Sequence, residues 1–125
     1  MAHAISWFEI PATNLYRAFD FYHHILDGHV RRGTFGTGEL ILFDVPFHTG
    51  EAVGGSIVVR PDLVPTTSGG IMYLTAWNPL NVVTSRVAAA GGQVLVPEIN
   101  LGKFGYAAII IDTEGNKIGL LAHEA

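Results

Sequence analysis

Apolar and polar positions along the chain trace one outline twice. Residues 5–10 alternate and are rich in Ile, Trp and Phe, the pattern of a half-buried strand. Leu15, Phe19, Tyr22 and Leu26 then recur at helical spacing, and Ala18, Phe21 and Ile25 widen the stripe. Thr13 or Asn14 caps this helix, and Asp27-Gly28 closes it because glycine takes a left-handed turn at little cost. Strand patterns follow at 29–34, 39–45 and 53–60, parted by glycines at 36 and 38 and by the stretch from Pro46 to Gly50. The second pass begins with a strand over 71–77. Asn78 then acts as a side-chain cap, and Pro79 occupies a first turn that needs no N–H. Leu80, Val83, Val87 and Ala90 form its apolar stripe, and strands follow at 93–96, 106–112 and 117–122. The turn over 113–116 places Gly115 and Asn116 where positive φ is favoured.

The two passes are in step. Asn14 and Asn78 are 64 residues apart, and so are Gly28 and Gly92. That spacing means a duplicated supersecondary unit and not a solenoid repeat. Each half reads βαβββ, so the expected fold class is α+β: two tandem βαβββ modules, 1–60 and 71–125, joined by a linker at 61–70 within a single domain. Eight strands are expected in a curved, mixed, mostly antiparallel sheet around a concave cavity, with the helices outside. A cavity of that kind is a natural ligand site.

Composition narrows the function. Of the 125 residues, 49% are hydrophobic and 14% charged, too apolar a balance for disorder. A formal charge of −4 and seven scattered Lys and Arg give no nucleic-acid surface. No apolar run reaches the roughly 20 residues of a membrane span, and the first residues hold no signal peptide. Cysteine is absent, which excludes disulfides, thiolate catalysis and thiolate metal sites. A cytoplasmic protein is the expectation.

The run from Trp7 to Tyr22, Trp-Phe-Glu-Ile-Pro-Ala-Thr-Asn-Leu-Tyr-Arg-Ala-Phe-Asp-Phe-Tyr, resembles the opening of the vicinal oxygen chelate superfamily. That superfamily includes glyoxalase I, extradiol dioxygenases and the bleomycin- and fosfomycin-resistance proteins. Ala89-Ala-Gly-Gly92 and the run from Ile111 to Leu120, with Asp112, Gly115 and Asn116, resemble its second-half signatures. The resemblance is nearest to the predicted enzymes related to lactoylglutathione lyase. It implies metal ligands on the first strand of each half and on the strands closing each half. Those places fall on Trp7, on Met72 or its neighbour Ile71, near Gly55-Ser56, and on Gly119. Indole, thioether and glycine offer a divalent ion neither imidazole nitrogen nor carboxylate oxygen. The expectation is therefore no metal and no cofactor.

Strand alternation selects the candidate lining. Trp7 and Glu9 share a face, as do Met72 and Leu74, and as do Lys117 and Leu121. Phe104 sits with Lys103 in a glycine-flanked loop before Tyr106, a loop suited either to close over a ligand or simply to enter a strand. His48 lies in a loop able to fold over the cavity. Trp7, Met72, Leu74, Phe104, Lys117, Leu121 and His48 are the ligand-binding candidates, with core aromatic as the competing role for Trp7 and solvated histidine for His48. Glu9 and Tyr106 are the candidates for proton transfer, Glu9 being equally readable as a carboxylate paired with an arginine. The leading expectation is a metal-free small-molecule-binding protein with an apolar, aromatic cavity. A metal-independent lyase or isomerase and a metal-dependent glyoxalase-like lyase stand behind it. So apolar a chain of this length is also expected to form a homodimer.

Overall fold

In the computed structural model, which describes residues 3–36 and 38–125, both halves fold as βαβββ units. Met1, Ala2 and Thr37, the last in the expected turn at 36–38, lie outside the described residues. The first module comprises β1 (Trp7–Pro11), α1 (Leu15–Ile25), β2 (Val30–Phe35), β3 (Gly38–Phe43) and β4 (Gly54–Val58). The second comprises β5 (Tyr73–Thr75), α2 (Leu80–Val87), β6 (Gln93–Asn100), β7 (Tyr106–Ile111) and β8 (Lys117–Ala122). Each forms a four-stranded sheet, in the orders β1-β4-β3-β2 and β5-β8-β7-β6. The first strand of each module runs parallel to the last, and the other pairings are antiparallel. The eight strands thus lie in two mixed sheets that no described bridge joins, and β1 and β5 each have a neighbour on one side only.

The helices and the sheet faces next to them share one core. Ile10, Ile41 and Ile57 of the first module and Leu74, Ile110, Ile118 and Leu120 of the second are buried in the same cluster as Phe21, Tyr22, Ile25, Val83 and Val87. The modules therefore meet through their helix-bearing inner faces, and their other, outer faces are left to the surface. The reason is visible in the sequence pattern: both helices carry apolar stripes, and each sheet has one apolar face to cover.

The ends of the elements follow local chemistry, with three departures. The Asn14 side chain accepts a bond from the Arg17 N–H at 3.1 Å, and Gly28, at φ +84°, closes α1 with its N–H on the His23 carbonyl. Asn78 does not cap α2. Pro79 takes the cap position without a side-chain bond, and the Leu80 N–H is satisfied by the Glu124 carbonyl at 2.8 Å, so the C-terminal segment does the capping. In the turn after β7 only Gly115 has positive φ. Asn116 is instead buried, its amide donating to the Pro11 carbonyl at 2.7 Å and to Asp112. β6 also runs past the expected 93–96, through Pro97 to Asn100, because two irregularities at Val94/Val96 and Val96/Ile99 accommodate the proline.

One polar knot ties the modules. The Tyr22 hydroxyl, on α1, donates to Asp112 at 2.6 Å within the core, and the N–H groups of Glu114 and Asn116 also donate to Asp112. Burial first, then the Asp112 carboxylate, pushes the Tyr22 phenol well above its ordinary value. Beside it, the Glu114 carboxylate accepts from Arg17 at 2.7 Å, from the backbone of Thr13 and Asn14 at 2.9 Å each, and from the Thr113 hydroxyl. Residues 61–70 cross between the modules, with Thr66 bonded to Asn116 and Lys117.

Candidate functional site

Two surfaces collect the candidate residues. The first is the outer faces of the sheets. Trp7 and Glu9 lie together on the outer face of β1, since Phe8 and Ile10 between and beyond them pack inward. The Trp7 indole N–H donates to the Ser56 hydroxyl at 3.4 Å, and its ring meets Phe47 edge-on at 5.1 Å. Trp7 is 40% exposed, so it is not a core aromatic. Phe47 begins a single 3₁₀ turn, Phe47–Thr49, and its ring touches that of the exposed His48 at 4.1 Å, so this loop does fold against the Trp7 face. Gly54 makes the fit possible: a Cβ there would stand 2.9 Å from both the Phe47 and Trp7 rings.

Glu9 is held by Arg60 in a two-pronged ion pair, with contacts of 2.7 and 2.8 Å. Both carboxylate oxygens are engaged, which is the paired-arginine role and not that of a free base. The pair raises the Arg60 guanidinium above its ordinary value. Tyr106 faces inward, packed against the core on β7, so the two proton-transfer candidates are not brought to one place. Lys117 and Leu121 lie on the outer face of β8 with Gly119, whose space is filled by the Tyr73 ring, 2.4 Å from where a Cβ would be. Phe104 is 66% exposed on its own short turn beside Lys103, away from any enclosed wall.

The second surface is a groove between the modules, about 780 Å³ in volume. Phe8, Phe43 and Val45 form one wall, Met72, Leu74 and Trp77 the other, with His29 at the junction. Met72 and Leu74 are therefore on the inner side of β5, opposite to Tyr73 and Gly119, and do not share a face with Trp7. The physical reason is the 64-residue offset itself. It pairs Met72 with Phe8 and Ile71 with Trp7, and a one-residue slip exchanges the faces of a strand. His29 and Trp77 had no role in the sequence reading. Their rings stack at 4.2 Å with an interplanar angle of 2°. Trp77 holds φ at +69°, a left-handed conformation rare for a bulky side chain.

The positions that the resemblance marks for metal ligands do not suit an ion. Trp7 is committed to Ser56 and Phe47, Ile71 and Met72 carry no donor fit for a divalent cation, and Gly119 is covered by Tyr73. Among the described residues, no three His, Asp or Glu side chains gather into a cluster able to hold one.

A pair of βαβββ modules, each with its first strand parallel to its last, defines the glyoxalase/bleomycin resistance fold, and this chain has it. A glyoxalase/bleomycin resistance protein from Albidiferax ferrireducens T118 superposes with a TM-score of 0.73 at 18% identity, over 95% of this chain and 98% of that one. The fosfomycin resistance protein FosX from Listeria monocytogenes matches at 0.64 and 14%, over 98% and 92%. Lactoylglutathione lyase from Agrobacterium tumefaciens matches at 0.60 and 16%, over 94% and 92%. No family model matches the sequence, and no curated protein does. At these identities the likeness is one of fold, and the chemistry must come from the residues. No helix among the described residues is long and apolar enough to cross a membrane.

Proposed function

We propose that this chain is a metal-free small-molecule-binding protein that acts as a homodimer, with the outer faces of its sheets forming the ligand walls. The observation that carries this reading is the state of those faces. Trp7 and Tyr73 stand 40% and 51% exposed, and β1 and β5, the edge strands that carry them, lack a partner on one side. Unpaired edges flanked by apolar rings are a liability in a monomer and a joint in an oligomer. A second copy that laid its β5 beside β1 would enclose Trp7, Ser56 and the Glu9–Arg60 pair against Tyr73, Lys117 and Leu121. The result is an apolar, aromatic cavity with a polar anchor on each side, suited to a small organic ligand. In this reading the chain works in the cytoplasm as a sequestering or carrier module.

Light scattering over a micromolar dilution series is expected to give twice the chain mass of 13.4 kDa. A monomer mass at every concentration would refute the shared cavity. One Zn, Ni, Fe or Mn per chain retained after dialysis would overturn the metal-free part. Loss of ligand binding in Trp7→Ala with the dimer intact is the expected result for the wall.

A further inference from the structure

The groove between the modules is on the opposite side of both sheets from the outer faces, and the proposed function makes no use of it. We propose that it is a second binding site, for an uncharged aromatic compound bearing a hydroxyl group. Its volume, about 780 Å³, is that of a drug-sized ligand pocket. Three carbocyclic or indole rings line it, from Phe8, Phe43 and Trp77, together with Met72, Leu74 and Val53. No Asp, Glu, Lys or Arg lines it, and its ionisable side chains are the imidazoles of His3 and His29, so a charged ligand would lose its hydration with no carboxylate, ammonium or guanidinium in return. An uncharged, flat, apolar body meets no such obstacle.

The hydroxyl follows from His29. Its Nδ1 lies 2.7 Å from the Leu26 carbonyl oxygen, which can only accept, so Nδ1 carries the proton. In the neutral ring Nε2 is then an acceptor, and the described residues make no hydrogen bond to it. A ligand O–H is the complementary group. The imidazole cannot swing away, because the Trp77 indole lies flat against it. Trp77 is itself held in a backbone conformation that costs about 1–2 kcal/mol for an L-residue. Strain of that kind at a groove wall marks a position fixed for something other than stability.

The chain has two tryptophans, so Trp7→Phe leaves Trp77 as the sole indole reporter and also removes the outer-face indole with its bond to Ser56. In that background, 2-naphthol is expected to change the Trp77 emission saturably, at one site per chain. Naphthalene should bind more weakly, by roughly 3- to 10-fold for one neutral hydrogen bond, and 2-naphthoate should not compete. His29→Phe keeps a ring against Trp77 and removes the acceptor, so it should bring 2-naphthol down to the affinity of naphthalene. Ala52→Phe, which fills the groove from its rim, should abolish binding of both. Equal affinity for 2-naphthol and naphthalene, unaltered by His29→Phe, would overturn the hydroxyl. Equal binding of 2-naphthoate would overturn the uncharged class. Unchanged binding in Ala52→Phe, or no saturable binding up to the solubility limit, would overturn the site. Because every arm lacks Trp7, these failures leave the outer-face reading untouched, and failure of that reading leaves the groove standing.

Discussion

Glu114 is the residue through which the two modules are most open to a quantitative test. Desolvation pushes its carboxyl upward, but bonds from Arg17, from the Asn14 and Thr13 backbone and from the Thr113 hydroxyl outweigh it and bring the pKa from 4.5 to about 2. The sign is set by that depression. The unfolded chain binds a proton at higher pH than the folded chain, so the stability from this group is fully present above pH 4.5. It is lost as pH falls from 4.5 through about 2. The full shift corresponds to about 3 kcal/mol. The Glu114 side chain is wholly covered but the Arg17 side chain is half exposed, and solvent screening of that partner reduces the figure to about 2 kcal/mol.

Glu114→Gln retains the shape and removes the charge. Its amide nitrogen would also face donors where an oxygen now accepts. Urea unfolding at pH 7 should therefore find the variant less stable by about 2 kcal/mol. The gap should narrow below pH 4.5 and be mostly gone near pH 2, where about half of the folded wild-type carboxyl is protonated. Comparing the two proteins at each pH cancels the acid response of the other carboxylates. A gap that stays constant from pH 7 to pH 2.5 would refute the assignment of the shift to this carboxylate.

Three further outcomes are expected. Tyr22→Phe removes the 2.6 Å donor to buried Asp112 and should cost about 1.5–3 kcal/mol in urea unfolding, and tyrosinate absorbance should show Tyr22 silent until the alkaline fold is lost. Gly105→Ala should cost about 2–3 kcal/mol or more, because φ is +100° and the new Cβ would lie 2.3 Å from the Ala122 carbonyl oxygen; a melting temperature equal to wild type would contradict it. Trp7→Ala should cost about 1–2 kcal/mol, less than the 3–5 of a buried tryptophan, since the ring is 40% exposed; a full core-sized loss would return Trp7 to a purely structural role.

What was legible in the sequence was what short-range pattern controls. The period of 3.6 located α1 and α2, alternation located the strands, and the 64-residue offset matched Ile10 with Leu74 and Ala12 with Ala76, all four buried. How the sheets meet was not legible, because the partner of an edge strand is decided by tertiary packing and not by its own residues. The faces of the second module were misassigned for a narrower reason: Met72 was set against Trp7 where the offset gives Ile71, and a period of two turns a one-residue error into the opposite side of a sheet. The Arg60 partner of Glu9 was available as one of two readings, but a separation of 51 residues carries no local signal. The His29–Trp77 stack gave none at all, since neither residue breaks the pattern of its own segment.

The duplication explains both the knot and the groove, and it supplies one more test. At the 64-residue offset Trp77 corresponds to Thr13. Thr13 is bonded to Glu114 in the short turn between β7 and β8, and that side of the module junction is closed. Trp77 faces Val45 and Val53, which belong to the longer connection between β3 and β4, and that side is open. The same joint has thus been sealed once by a carboxylate and once left as a lined groove. If Trp77 were retained for stability, its removal would be costly. Trp77→Gly relieves about 1–2 kcal/mol of left-handed backbone cost and gives up the contacts of a ring that is 46% exposed. The two effects oppose each other, so urea unfolding should place the variant within about 1 kcal/mol of wild type, while 2-naphthol binding is lost with the wall. A loss above about 3 kcal/mol would make Trp77 a packing residue and remove the strain argument from the groove.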